Sequence, residues 1–202
     1  MITLYHAPRS RASRFIFLLE ELGAPYALKE VDIRRGDGSG TLDAANPHPH
    51  GKVPVIRDGE AVVYESAAIA LYLTDKFPKN GIGPLVGDAT RGTYLTWLAY
   101  YAGVMEPAWM SAFMKWEVRR GTAGWVKTDE VMELVNATLS KQPFILGEKF
   151  SAADVLIGTT FKLFMGSPLL AKTDLLEAYV NRVTERPAYA RAMAKEAEAA
   201  HG

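Results

Sequence analysis

An α/β domain followed by an all-helical domain is what the sequence predicts, and three observations predict it. Strand and helix signals alternate through the first third of the 202 residues. A stretch from 78 to 87 then holds three Gly and two Pro among ten residues, the composition of a linker. Beyond it the period-two patterns stop and helical spacing runs to the end of the chain.

Ile2 to His6 is a short β-rich run broken by Pro8. Ser10 then opens a helical pattern with Ala12, Phe15, Ile16, Leu19 and Leu22 on one face, stopped by Gly23 and Pro25. Tyr26 to Ile33 alternates as a second strand, which a β-α-β connection makes parallel to the first. A Gly-rich polar stretch from Gly36 and the run Asn46-Pro47-His48-Pro49-His50-Gly51 read as a loop with room for one helical turn. Val53 to Arg57 and Ala61 to Tyr64 flank Asp58-Gly59, a strong hairpin signal. Ser66 starts a helix carrying Ile69, Ala70, Leu73 and Phe77, ended by Pro78. The order β-α-β, connection, β-β-α is a thioredoxin-like plan, and it assigns 1–77 to that domain, 78–87 to the linker and 88–202 to the helical domain.

In the helical part, Asp88 is placed to cap a long helix through Tyr94, Leu98, Tyr101 and Met105, which Pro107 should kink or break near Glu106. A helix resumes through Trp109, Phe113 and Trp116. Val131, Leu134, Val135, Thr138 and Leu139 recur at helical spacing up to Pro143. Ser151-x-x-Asp154 reads as a capping box with the shorter acid, stapled by Phe150 and Val155. Leu175, Leu176, Tyr179, Val180 and Val183 give the next helix, and Pro187 separates it from an Ala-rich last one.

Composition narrows the chemistry. With 49% apolar and 23% charged residues the chain is an ordinary globular one, and its 23 basic residues balance 23 acidic ones. No net field points to nucleic acid or an anionic membrane, so the expected ligand is small. There is no cysteine, which removes disulfides, thiolate metal sites and a nucleophilic cysteine together. Thiol chemistry would have to borrow its thiol. No basic-then-apolar leader opens the sequence and no stretch approaches the ~20 apolar residues of a membrane span, so a cytoplasmic address is expected.

Four segments, in order and at these separations, carry a family resemblance: Ser10-Arg11-Ala12-Ser13-Arg14, Gly51-Lys52-Val53-Pro54-Val55, Glu65-Ser66-Ala67-Ala68-Ile69-Ala70-Leu71-Tyr72-Leu73, and Phe150-Ser151-Ala152-Ala153-Asp154, with Glu185-Arg186-Pro187-Ala188-Tyr189 near the end. Across essentially its whole length the chain resembles the cytosolic glutathione S-transferase superfamily, of the bacterial and serine-dependent kind. The resemblance implies a homodimer that joins glutathione, as co-substrate and without any cofactor, to a small hydrophobic electrophile in detoxification.

It also implies a role for each matching position. Pro54 would be cis, with the Val53 backbone pairing to the cysteinyl part of glutathione like an added strand; the residues alone equally allow a trans proline at a strand start. Glu65 and Ser66 would take the γ-glutamyl end, the carboxylate at the helix N-terminus and the ammonium at Glu65, while Ser66 is in any case an N-cap by type. Lys52 would neutralise a carboxylate, although a lone Lys is ordinarily a solvated charge. His50 would border the glycyl end. His48 and His50 lack a third ligand, so no metal is expected.

Ser10 is the candidate catalytic hydroxyl, donating to the glutathione thiolate and lowering the thiol pKa together with the helix N-terminus. Ser13 or Arg11 could serve in place of Ser10; Tyr5, near the end of the first strand, is the other alternative, with Arg9 or Arg11 able to assist. Tyr101, Met105, Trp109 and Phe113 are candidates for the wall of an electrophile pocket between the domains, though aromatics at helical spacing serve as core equally well. Two other activities share the fold: glutathione-dependent reduction of peroxides or disulfides, and non-catalytic ligand binding or regulation.

Overall fold

Four strands form one mixed sheet in the order β2-β1-β3-β4. The computed structural model describes residues 1–199, so the last three residues of the expected 88–202 domain lie outside the described ones. β1 (Ile2–His6) pairs in parallel with β2 (Tyr26–Glu30) and antiparallel with β3 (Val55–Asp58), which pairs with β4 (Ala61–Tyr64). The Asp58-Gly59 turn makes the hairpin its sequence foretells, with Gly59 at φ 59° where a side chain would be strained. β2 ends at Glu30, short of the Ile33 that alternation allowed. Beyond Val31, whose N–H still bonds the His6 carbonyl, polar Asp32 turns its carboxylate on the N–H groups of Ile33 and Thr41 and starts the loop.

α1 (Ser13–Leu22) begins three residues later than its periodicity suggested. Arg9 adopts a left-handed backbone at φ 55°, and the Ser10 hydroxyl accepts from Ala12 N–H at 3.1 Å, so the chain makes a turn before it coils. Phe15, Ile16, Phe17, Leu18, Leu19 and Leu22 are all buried, more than one helix face can explain. The second cover is α8 (Pro187–Ala199), whose Tyr189 meets the Phe17 ring edge-on at 5.3 Å. Arg186 grips Glu21 through two bonds of 2.6 and 2.9 Å, while Arg191 and Lys195 both reach Glu20.

Two compact units result. The first joins Met1–Asn80 to the segment that starts at Arg186, and the second is Gly81–Glu185. α2 (Ser66–Lys76) and a 3₁₀ turn (Pro78–Asn80) complete the first unit.

The second unit holds α3 (Arg91–Tyr100), α4 (Glu106–Phe113), α5 (Thr128–Leu139), α6 (Ala152–Phe164) and α7 (Asp174–Thr184). Pro107 does not break the chain there. A π-helical turn, Tyr101–Met105, joins α3 to α4 and sets Pro107 in the first turn of α4, so the helical path continues through it. α4 stops at Phe113, before Trp116. At the head of α6, Asp154 takes the N–H and hydroxyl of Ser151, both at 2.8 Å, and the capping box stands as its spacing predicts. Asp154 also accepts from Ile145 N–H at 2.8 Å and the Tyr179 hydroxyl at 3.0 Å, so it pins α6, α7 and the preceding loop at once. Among the described residues no helix is long and apolar enough to cross a membrane.

Candidate active site

The strand registers decide which loops meet. Tyr5 faces Val55, and Val55 faces Tyr64, so the end of β1, the start of β3 and the end of β4 share one edge of the sheet. From that edge leave the turn holding Ser10, the Lys52-Val53-Pro54 segment, and Glu65-Ser66 at the head of α2. Three of the four segments that carried the family resemblance therefore converge in one unit, as topology alone requires.

The Val53–Pro54 peptide bond is cis. Val53 lies just outside β3, and among the described residues no hydrogen bond uses its N–H or C=O. Its backbone faces the open edge as an unpaired strand position, the kind an extended peptide can complete. Pro54 itself is buried. Behind it, the Asn46 side chain donates to Lys52 O at 3.1 Å and accepts from His48 N–H at 3.0 Å, which fixes the connection. His48 is buried, has its ring centre 5.0 Å from that of Tyr64 with the planes tilted, and accepts from His50 N–H on its Nδ1 at 3.0 Å. Burial lowers the His48 pKa most; the Glu65 carboxylate opposes this, and the charges of His50 and Lys52 add to it. His48 is thereby a neutral acceptor that orders the loop, a role its sequence context did not announce. A depression of about 490 Å³ opens beside it, lined among others by Arg34, Asn46, His50 and Lys52.

At Glu65 the chain bends sharply into α2. Glu65 occupies the cap position at φ 70°, and Ser66 is the first helical residue, not the cap its type foretold. No side chain caps this helix. The first N–H groups of such a helix carry partial positive charge with no intrahelical acceptor, and Glu65 immediately precedes them. One anion acceptor and one cation acceptor side by side fit an amino-acid zwitterion.

Ser10 is partly exposed on the turn after β1, and its oxygen already accepts from Ala12 N–H. What it retains to give is its hydrogen. Tyr5 is 6% exposed, in an apolar cluster with Val31, Val53, Val55 and Val62, and Lys29 Nζ stands 5.5 Å from its ring centre. Three further residues frame the Ser10 turn and had no signal in the sequence. Arg35 donates to Pro8 O at 3.2 Å, Glu196 accepts from Arg9 N–H at 3.1 Å, and His6 is buried beneath at 1% exposure. Glu196 lies 187 positions from Arg9, beyond the reach of any local pattern.

The four residues expected to line an electrophile pocket all belong to the helical unit. Tyr101, Met105 and Trp109 are buried in that unit's core, and Phe113 is exposed at the end of α4. The Tyr101 hydroxyl donates to the Glu106 carboxylate and lies 3.2 Å from Thr160 Oγ1, and the Trp109 ring sits 5.9 Å from Phe161.

Residues 4–81 match the family model described as the glutathione S-transferase N-terminal domain, and residues 101–187 match the glutathione S-transferase C-terminal domain. A GST-like protein of Streptococcus mutans is 30% identical over 201 residues, covering 87% of this chain and 73% of that one. The disulfide-bond oxidoreductase YfcG of Escherichia coli is 27% identical, covering 96% and 95%. A crystal structure of a glutathione S-transferase from Actinobacillus pleuropneumoniae superposes with a TM-score of 0.79 at 27% identity, covering 97% of this chain and 93% of that one. With the cis Val53–Pro54 edge, the uncapped α2 and the matched domain pair in one chain, this protein belongs to the glutathione S-transferase family.

Proposed function

We propose that the protein transfers the thiolate of glutathione to a small hydrophobic electrophile. The observation that carries this reading is the convergence, at one sheet edge, of an unpaired Val53 backbone, an uncapped helix head at Glu65-Ser66, and a hydroxyl at Ser10. The cysteinyl backbone of glutathione pairs with Val53 N–H and C=O. The γ-glutamyl carboxylate takes the first N–H groups of α2 and the Ser66 hydroxyl, and the ammonium group meets Glu65. Lys52 and His50 meet the glycyl carboxylate.

So held, the sulfur comes to Ser10. Its hydroxyl donates to the thiolate, the thiol proton passes to solvent, and the ionised form is favoured by a bond the neutral form cannot match. The thiolate attacks an electrophilic carbon, a carbon–sulfur bond forms, and the leaving group departs with its electron pair. The chain supplies position and charge stabilisation, with no covalent step of its own and no cofactor. The accessible Ser10 supports this assignment over Tyr5, whose ring is spent on the cluster under β3. The reading extends to a cytoplasmic homodimer acting in detoxification, which sedimentation and fractionation test.

The deciding measurement is an ultraviolet titration of bound glutathione in wild type, Ser10→Ala and Tyr5→Phe. A thiol pKa well below the free value of ~8.5, returned toward it by Ser10→Ala alone, is the expected result. Return by Tyr5→Phe alone moves the role to the tyrosine. A bound thiol with its ordinary pKa sinks the transferase reading. The same thiolate would serve disulfide reduction, the activity in the name of the E. coli relative, so turnover of an aryl halide is to be compared with that of a mixed disulfide.

A further inference from the structure

The turn that presents Ser10 is not stable by its own sequence. Arg9 holds φ 55°, a conformation that costs any residue with a Cβ, and such a conformation persists only where its surroundings impose it. Two contacts grip that residue's flanking groups. The Pro8 carbonyl accepts from Arg35, and the Arg9 N–H donates to Glu196 Oε1.

Glu196 does more than hold one N–H. The same oxygen accepts from the Ser13 hydroxyl and lies 3.5 Å from Nε2 of the buried His6. His6 ends β1, Arg9 is the left-handed residue, and Ser13 opens α1, so one carboxylate oxygen is hydrogen-bonded within and after the turn and stands beside the strand that enters it. Ser10 lies between these points. Burial alone would raise the Glu196 pKa, but the contacts of His6, Ser13 and the Arg9 N–H outweigh it and hold the carboxyl below its ordinary range. The rest of α8 docks by opposite means: its cations Arg186, Arg191 and Lys195 engage the acids Glu20 and Glu21 of α1. Glu196 is the acid of that face and its bonds go to the turn.

We infer that Glu196, on the last helix, is the positioning residue of the thiol-activating turn, locking Arg9 in its strained conformation so that the Ser10 hydroxyl meets the glutathione sulfur. This rests on the Ser10 assignment above.

The test uses the full chain with Glu196→Ala, Glu196→Gln, and Glu196→Ala combined with Arg9→Gly, since glycine adopts a positive φ unaided. Amide exchange at Arg9 to Ala12 is read without glutathione, and the bound-thiol pKa and the kcat and KM values are read with it. The inference expects Glu196→Ala to speed exchange of the Arg9 N–H at least tenfold, raise the bound-thiol pKa, and lower kcat more than it raises KM for glutathione. Glu196→Gln, which keeps an acceptor oxygen, should retain most of the wild-type behaviour, and Arg9→Gly should restore part of kcat to the Ala variant. Unchanged exchange and thiol pKa in Glu196→Ala overturn it. So does a loss that tracks the fall in melting temperature and is not relieved by Arg9→Gly, the mark of a merely structural contact. If wild type leaves the glutathione thiol unperturbed, the transferase reading fails, and exchange at Arg9 alone then decides whether Glu196 holds the turn.

Discussion

Arg9 and Glu65 both carry a positive φ, 55° and 70°, and each immediately precedes a serine of the candidate site. The arrangement is economical. A side-chain hydroxyl is aimed by bending the main chain just before it, and the bend persists because neighbouring groups hold it. Replacing Ser10 by Ala should leave the bend and remove the donor, lowering kcat/KM about a hundredfold, the scale of losing one preorganised donor to a developing anion; steady-state rates with an aryl halide check this. Asp154 offers the structural counterpart. It is fully buried and receives four bonds, and burial pushes its carboxyl up in spite of them. Asp154→Ala would leave Ile145 N–H, Ser151 N–H and the Tyr179 hydroxyl without an acceptor inside the fold, which at 1–3 kcal/mol for an unmet buried group amounts to about 3 kcal/mol or more. Chemical denaturation with catalysis of the surviving folded fraction separates this loss from a catalytic one. The Ser151-x-x-Asp154 spacing disclosed the cap, since the bond is local. The link from Tyr179 came from 25 positions away and left no local mark.

At the scale of elements, periodicity was readable wherever one face of a helix decides its place, as in α5 and α7. It was blind where two covers meet, as on α1, whose buried residues exceed a single stripe because α8 lies on its second side. The π-helical turn at Tyr101–Met105 escaped for a related reason, since the hydrogen-bond register of a helix is not written in its side-chain period. The union of α1 and α8 gives a pH prediction. Glu20 falls from an ordinary 4.5 to about 2: burial would raise it, and bonds from Lys195, Arg191 and Tyr26 reverse this. A depressed carboxyl adds stability above the unfolded-state pKa, and that stability is lost as pH falls from about 4.5 toward 2. Because its partners are about half exposed, solvent screening reduces the effect to about 1 kcal/mol. Glu20→Gln should flatten the acid limb of a melting-temperature profile between those values and lower stability by that amount at pH 7; a profile superimposable on wild type would refute the assignment. α6 and α7 meet differently, through contact so close that a Cβ on Gly158 would stand 2.8 Å from both methyls of Val183. Gly158→Ala should cost about 1–3 kcal/mol by overpacking, and Val183→Ala in the same chain should recover part of it. Additive losses in the double variant would show that the two positions do not meet.

For the whole molecule the order of the chain and the order of its packing differ. The unit that carries Ser10, Val53 and Glu65 is made of Met1–Asn80 and of a helix that follows the entire second unit in sequence. Local signals drew the thioredoxin-like plan fully and left α8 with its neighbours in the chain, because nothing short-range in the Ala-rich run 187–199 names a partner at Phe17 or Glu20. A fragment of residues 1–80 should therefore melt without a cooperative transition, its α1 open to water on the α8 side; joining 186–199 to it through a flexible linker should restore one. A sharp melt from 1–80 alone would show that α8 is dispensable. Translation adds a clock to this arrangement. At roughly 5–20 residues per second, the ribosome needs about 5 to 20 s after completing the first segment to deliver the helix that closes it. Through that interval the sheet edge with Val53 waits, half assembled, while the intervening helices emerge and pack, so crowded nascent chains are most vulnerable to one another before that helix arrives.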